Sequence, residues 1–216
     1  MKSVLRYSCR DILRGQRWVA PLVTFAAVDA IASAQTGSLL PTFAATATAL
    51  LFVGTWLTVV VVNNEDPIQQ TITESCVGSR SKLRVAKLVL AFLATATLGI
   101  LGMIGPVLGL SSKVIPRELV AGLCSQLITS IAAVALGALC SRPLLRRLAW
   151  SVLFAVLICL ATVIIPGAPP TRQLLVLFNK TGSFALAGPL LLIGVETLAL
   201  SSVGVAIFLR LSLSRE

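Results

Sequence analysis

Two carboxylates lie inside long apolar stretches of this sequence, where an ionisable side chain is unusual. Asp29 falls in the first stretch and Glu196 in the last, and neither stretch has a Lys or Arg near its middle. A charged carboxylate at the centre of a bilayer costs about 3 kcal/mol by insertion scales, so the first interpretation is a role in moving ions or substrates. The other is a hydrogen bond between helices, worth about 0.6 kcal/mol. The sequence leaves both open.

The residues needed for catalysis by the chain itself are largely missing from the sequence. There is no His, which removes the commonest general base and the usual zinc ligand. Residues 78–82 resemble the G-x-x-x-x-G-K-[ST] phosphate loop only superficially, and only a Ser–Lys arrangement stays formally open. We therefore expect no enzyme activity and no catalytic, cofactor-binding or metal-binding residues in this chain.

The cysteines follow no metal-binding or redox pattern. There are five, an odd number, and no two have C-x-x-C spacing. Three fall inside apolar stretches, where a small thiol packs well. We interpret all five as unpaired structural residues: Cys9, Cys76, Cys124, Cys140 and Cys159.

The composition indicates the elements that position these residues. The 216 residues are 56% hydrophobic and 12% charged, whereas a soluble domain is about half apolar and about a quarter charged. Hydrocarbon about 30 Å thick requires roughly 20 apolar residues of helix for each crossing. We predict an all-α polytopic membrane protein whose six-helix transmembrane domain covers residues 18–209. The spans are expected near residues 18–34, 43–62, 85–110, 119–139, 148–165 and 184–209.

The distribution of basic residues predicts the orientation of these spans. The net charge is +10, but the cations lie between apolar stretches, which argues against nucleic-acid binding. Of the 18 Lys and Arg residues, 14 fall on the side that holds both termini and 4 on the other. By the positive-inside rule, both termini, including the tail 210–216, are expected in the cytoplasm, and the protein in the plasma (inner) membrane.

The first 17 residues carry basic side chains at helical spacing. Leu5, Cys9, Ile12 and Leu13 fall on a neighbouring face, which is typical of an amphipathic helix in the headgroup layer. The alternative is a charged flank that only orients the first span. The basic residues are Lys2, Arg6, Arg10, Arg14 and Arg17.

The loop 63–84 carries the marks of a short helix with a defined start and end. Asp66 followed by Pro67 is typical of a helix start, because the carboxylate accepts free backbone N–H groups and Pro needs no donor there. Ile68 and Ile72 continue at helical spacing, and Gly78 can adopt the left-handed conformation that ends a helix.

Two further patterns predict how other segments pack. Residues 174–178 form an apolar segment too short to cross a bilayer, so we expect it to lie on or dip into the interface. Gly99, Gly102, Gly105 and Gly109 form a ridge of small residues on the third span, which predicts close helix packing.

The loop and its flanks resemble those of type-2 ABC exporter permeases. Asn64-Glu65-Asp66 closes the second span, the segment 74–83 (ESCVGSRSKL) follows, and Ala86-Lys87-Leu88 opens the third. In that family a basic amphipathic helix precedes the first span, the second-to-third loop holds a coupling helix, and the last outside loop carries short re-entrant helices. The same order recurs along this chain. The segment 76–78 (CVG) departs from the longer Gly-containing turn of many members.

The resemblance implies the permease subunit of an ABC exporter. Its partners would be separate ABC ATPase subunits that hold ATP and Mg, a second permease chain in a homo- or heterodimer, and the lipid bilayer. The implied ATPase-coupling residues are Asp66, Pro67, Ile68, Gln69, Ile72, Glu74 and Gly78. Two alternatives remain: a secondary transporter or channel in which Asp29 and Glu196 carry protons or ions, and a membrane scaffold without enzyme activity.

Overall fold

Every regular element that the structure contains in its described ranges is an α-helix. The computed structural model describes residues 2–34, 39–65, 69, 72–73, 75, 78–109, 115–141, 148–165, 170–180 and 187–214. Within those ranges the helices are α1 (Lys2–Arg14), α2 (Val19–Ser33), α3 (Leu39–Val62), α4 (Arg80–Leu101), α5 (Ile104–Gly109), α6 (Pro116–Cys140), α7 (Leu148–Ile164), α8 (Thr171–Lys180) and α9 (Ala187–Ser214).

Four helical segments of the described chain are long and apolar enough to cross a membrane. They are Leu39–Val62, Ser81–Leu108, Pro116–Cys140 and Ala187–Arg210. The second comprises α4 and α5, which the sequence predicted as one continuous span and which are separated by a turn at Gly102 and Met103. The described residues therefore confirm the predicted all-α class and include four long apolar helices.

The other two predicted spans are apolar helices of lesser length. α2 has 15 residues and α7 has 17, which at about 1.5 Å per residue gives about 22 Å and about 25 Å. Both fall short of the hydrocarbon thickness of about 30 Å. The six-span topology stays a prediction.

Helix α3 lies at the centre of the fold. It packs against α2, α4, α6, α7 and α8, and fully buried side chains lie on more than one of its faces, among them Phe43, Leu50, Leu51 and Val59. A helix that is apolar on all sides is stable in such a position because each face meets another helix.

Glycines allow the three central helices α3, α4 and α6 to approach one another closely. A Cβ on Gly54 of α3 would lie 2.5 Å from Cγ2 of Thr95 on α4 and 3.0 Å from Cβ of Ala133 on α6. A Cβ on Gly137 of α6 would lie 2.5 Å from Cβ of Thr58 and 2.8 Å from the carbonyl oxygen of Thr55. Close contacts at small residues of this kind are typical of helix packing in membrane proteins.

The predicted glycine ridge is confirmed at three positions. A Cβ on Gly99 would lie 2.7 Å from Cδ2 of Leu50 on α3. A Cβ on Gly102 would lie 2.6 Å from Cζ of Phe25, and one on Gly105 would lie 2.7 Å from Oγ of Ser33. At the last two positions α2 packs against the ridge, so the glycines allow α2 to lie close to α4 and α5.

The short segment 174–178 belongs to α8, a helix of 10 residues. Leu174 and Phe178 are buried in a cluster with Phe43 of α3 and Ile193 of α9. At about 15 Å the helix is too short to cross a bilayer. It covers the first turns of α3.

Candidate functional site

A buried ion pair joins the end of α3 to the start of α4. Nζ of Lys87 donates a hydrogen bond to Oε2 of Glu65 at 2.9 Å, and the two side chains are 5% and 2% exposed. Leu83 and Ala86, which precede Lys87 on α4, are fully buried. Removing one partner of such a pair leaves an uncompensated buried charge, so the pair links the two helices firmly.

Sequence reasoning did not find this pair. Glu65 closes the second predicted span and Lys87 opens the third, but neither position alone indicates its partner. The available signal was an acid just after one predicted span and a Lys in the first turns of the next. That pattern fits an ion pair across a helical hairpin.

Helix α1 is hydrogen-bonded to the same loop at two points. Nδ2 of Asn64 donates to Oδ2 of Asp11 at 2.6 Å, and Nε2 of Gln69 donates to the hydroxyl oxygen of Tyr7 at 2.9 Å. A Cβ on Gly15 would lie 3.3 Å from Oδ1 of Asn64, so the end of α1 also contacts the loop. We name this set the loop junction: Tyr7, Asp11, Asn64, Glu65, Gln69 and Lys87.

Three of the expected coupling residues lie in the described part of the loop. Gln69 and Ile72 are helical, and the hydroxyl of Thr73 donates to the carbonyl oxygen of Gln69 at 2.9 Å, a bond typical of one helical turn. Gly78 has φ of 69°, which confirms its predicted left-handed conformation. Asp66, Pro67, Ile68 and Glu74 lie outside the described residues.

The described loop residues differ in their surroundings. Ile72 is 61% exposed, whereas the side-chain amide of Gln69 is bonded to α1. One side of the loop is therefore attached to the chain's own first helix, while an apolar side chain projects away from the fold.

Asp29 lies where α2 crosses the glycine ridge. A Cβ on Gly105 would lie 2.9 Å from Oδ2 of Asp29, and one on Gly102 would lie 3.5 Å from its Oδ1. Among the described residues, neither Oδ1 of Asp29 nor the nearby Oγ of Ser33 has a hydrogen-bond partner. The structure thus places this carboxylate in a tight helix crossing and gives it no cation there.

Glu196 lies in a different environment. Nε2 of Gln173 on α8 donates to Oε2 of Glu196 on α9 at 3.1 Å. The partner is a side-chain amide outside the predicted span, a residue that sequence reasoning missed. The neighbouring Arg172 donates through Nη1 to the carbonyl oxygens of Val163 and Ile164 at the end of α7. Helix α8 therefore joins α7 to α9.

A buried polar contact crosses the centre of the fold. Nε2 of Gln126 on α6 donates to Oγ1 of Thr46 on α3 at 2.9 Å, and both residues are fully buried. Oε1 of Gln126 has no partner among the described residues. The sequence signal for this site was an amide inside an apolar stretch flanked by Ser125, Thr129 and Ser130.

The described cysteines differ in burial: Cys140 and Cys159 are buried, whereas Cys9 is exposed. Cys9, Cys124, Cys140 and Cys159 are free, and Sγ of Cys159 lies 3.4 Å from Oγ1 of Thr55. No group of three or more Cys, Asp or Glu side chains in the described ranges is arranged to hold a metal ion.

The fold and its four long apolar helices define a multi-pass helical membrane protein. Comparison with family models, curated proteins and solved structures returned no match for this chain. Membership of the ABC exporter permeases therefore stays a prediction from the resemblance.

Proposed function

We propose that this chain is a permease subunit of an ABC exporter. In this proposal the loop 66–78 docks on a separate ATPase subunit, which holds ATP and Mg. A second permease chain completes the pathway across the plasma (inner) membrane. The observation that carries the proposal is an exposed Ile72 on a loop that is hydrogen-bonded to α1 through Gln69 and that follows the buried Glu65–Lys87 pair.

The exposure of Ile72 supports a protein partner for this loop. A helix of about a dozen residues is marginal in water by itself and requires a packing surface. Asp66, Gln69 and Glu74 make the segment polar and acidic, which disfavours anionic lipid headgroups as that surface. An exposed Ile in a polar helix suits docking into a protein groove, with the apolar side chain as anchor.

The loop junction provides a route from the docked loop to the spans. Gln69 and Asn64 hold α1, while Glu65 and Lys87 hold α4 against the end of α3. A displacement of the loop by an ATPase would therefore move three helices together. Of these contacts the Glu65–Lys87 pair is buried, and a buried, hydrogen-bonded contact is suited to carrying such a displacement into the spans.

The proposal also includes the six-span topology with both termini in the cytoplasm. It counts α2 and α7 as spans and rests on the 14-to-4 division of basic residues. With that orientation the loop junction faces the cytoplasm, where ATP is available, and α8 faces outside.

Purification in a mild detergent tests this function directly. Identification of co-purifying proteins should yield an ABC ATPase in stoichiometric amount, and the complex should hydrolyse ATP. A monodisperse preparation with neither a bound ATPase nor ATP hydrolysis, even after reconstitution with the cell's ABC ATPases, would contradict the proposal.

A second candidate function is a secondary transporter or channel that uses Asp29 and Glu196. The buried, unpartnered Oδ1 of Asp29 favours it, because an intramembrane carboxylate of this kind is suited to carrying a proton. The hydrogen bond from Gln173 weakens the case for Glu196.

Asp29→Asn and Glu196→Gln separate the two functions. An amide keeps the shape and the hydrogen bonding of the side chain but cannot titrate near neutral pH. In the ABC proposal both variants retain ATP hydrolysis and transport by the assembled complex. In a proton-coupled carrier at least one variant loses transport while the protein stays folded, so full activity of both excludes the carrier.

A further inference from the structure

An apolar groove lies between α1, α2, α3 and α4. It has a volume of about 220 Å³, and its walls include Ile12 of α1, Trp18 at the start of α2, and α4 between Leu90 and Leu101. The helical rise of about 1.5 Å per residue puts Leu90 and Leu101 about 16 Å apart along α4. That length is close to half the hydrocarbon thickness of about 30 Å, which is one leaflet.

Exposed arginines are sequence neighbours of the groove residues at the α1 end. Arg10 follows Cys9, a groove residue, and Arg17 precedes Trp18. Arg6 and Arg14 lie one helical turn from Arg10 on the same side of α1, and all four arginines are exposed.

The described acidic groups near α1 are already engaged elsewhere. Asp11 of α1 accepts the hydrogen bond from Asn64, and Glu65 is paired with Lys87. Among the residues that the structure describes, no ion pair is made by Arg6, Arg10, Arg14 or Arg17. Within the described ranges, the guanidinium groups next to the groove residues therefore have no carboxylate partner.

We propose that this groove binds an anionic glycerophospholipid from the leaflet that borders α1. One acyl chain lies in the groove along α4, and the headgroup phosphate lies among the guanidinium groups of Arg10 and Arg17. Guanidinium binds phosphate through two parallel hydrogen bonds, and the surrounding cations favour a lipid with net negative charge over a zwitterionic one.

The site has a structural consequence for α1. The lipid would fill the space that separates α1 from α2 and α4, so its binding stabilises the position of the helix that carries Tyr7 and Asp11. The inference is independent of the transport proposal, since it requires only that α1 lies at the membrane surface.

Trp18 provides a local probe of the site. The chain has three Trp residues, so W56F/W150F leaves Trp18 as the only indole. The protein is reconstituted in phosphatidylcholine vesicles that contain an equal mole fraction of either brominated phosphatidylglycerol or brominated phosphatidylcholine. We expect at least a twofold larger fractional quenching of Trp18 by the brominated phosphatidylglycerol.

Two double variants show whether the arginines at the groove cause this preference. R10Q/R17Q removes two charges at the groove and should abolish the preference. K82Q/R210Q removes two charges from exposed positions outside the groove and should retain it. Native mass spectrometry of the wild-type chain with added phosphatidylglycerol or phosphatidylcholine gives the same comparison without the Trp substitutions.

Three results would overturn the inference. Equal quenching by the two brominated lipids would mean that only annular lipid contacts Trp18. A preference that survives in R10Q/R17Q would remove the phosphate contact. A preference lost equally in K82Q/R210Q would reduce the effect to general surface charge.

Discussion

At the scale of the residue, three carboxylates that are buried or half-buried differ in whether they have partners. Glu65 is paired with a Lys, Glu196 accepts a hydrogen bond from an amide, and Oδ1 of Asp29 has no partner in the described chain. A buried charge without a partner is costly in a low-dielectric environment. The three carboxylates are therefore expected to respond differently to substitution.

The ion pair of the loop junction gives the first prediction. Lys87→Met leaves Glu65 as a buried, uncompensated charge, which should cost about 3–5 kcal/mol of stability. The double variant E65L/K87M removes both charges and should recover most of that loss. The detergent-purified variants are heated, and size-exclusion chromatography monitors how much folded protein remains at each temperature. The unfolding temperatures then give the difference in stability between the variants.

The same two variants also show what would contradict this interpretation. If Lys87→Met and E65L/K87M unfold at the same temperature, the two charges do not interact in the folded protein. Retention of the wild-type unfolding temperature by Lys87→Met alone would mean that Glu65 is not buried as a charge.

At the scale of the element, the sequence predicted the apolar helices well and their ends less well. The predicted spans 43–62, 119–139 and 184–209 lie within α3, within α6 and largely within α9. A long apolar run has few stable alternatives to a helix in a membrane. The apolar run of the third span begins at Val85, whereas α4 itself begins at Arg80, because a helix continues into charged residues that hydropathy does not count.

Contacts between helices were beyond the reach of the sequence pattern. The pairs Gln126–Thr46 and Lys87–Glu65 join residues separated by 80 and 22 positions. Whether such residues meet depends on the rotation of each helix about its axis, and a nearly uniform apolar run leaves that rotation undetermined. The glycine ridge was predictable because it marks one face of its helix.

Helix packing gives the second prediction. Gly137→Ala places a Cβ 2.5 Å from Cβ of Thr58 and 2.8 Å from the carbonyl oxygen of Thr55, so α3 and α6 must separate. Overpacking of this kind costs about 1–3 kcal/mol. Gly188→Ala is the matched control, because no atom lies within 4 Å of its Cβ position.

The unfolding temperature in detergent distinguishes these two glycine variants. Gly137→Ala should lower it clearly, while Gly188→Ala should leave it nearly unchanged. An equal response of the two variants would mean that intrinsic helix propensity, rather than close packing of α3 on α6, determines the effect.

At the scale of the whole molecule, the number of helices that cross the membrane determines on which side each loop lies. Four segments are long enough, and α2 and α7 are shorter. If α2 and α7 also cross, with the bilayer thinned locally around them, both termini and the loop junction lie on one side. That side then has 14 of the 18 basic residues.

Cysteine labelling tests this topology. In a background without native cysteines, Asn179→Cys on α8 and Ser81→Cys at the start of α4 both provide exposed positions. A membrane-impermeant maleimide added to intact cells should label position 179 and leave position 81 unlabelled until the cells are opened. Labelling of both positions in intact cells would contradict the six-span arrangement.

The central claim is that the loop containing Ile72 couples the spans to an ATPase, and one matched pair of variants tests it. Ile72→Asp puts a charge on the exposed anchor, whereas Ile115→Asp makes the same change at an exposed Ile just before α6. Both should insert and purify normally. We expect Ile72→Asp to reduce the co-purified ATPase at least tenfold, while Ile115→Asp retains it and Ile72→Leu stays near wild type. If Ile72→Asp keeps the ATPase bound and transport undiminished, this loop is not the coupling element.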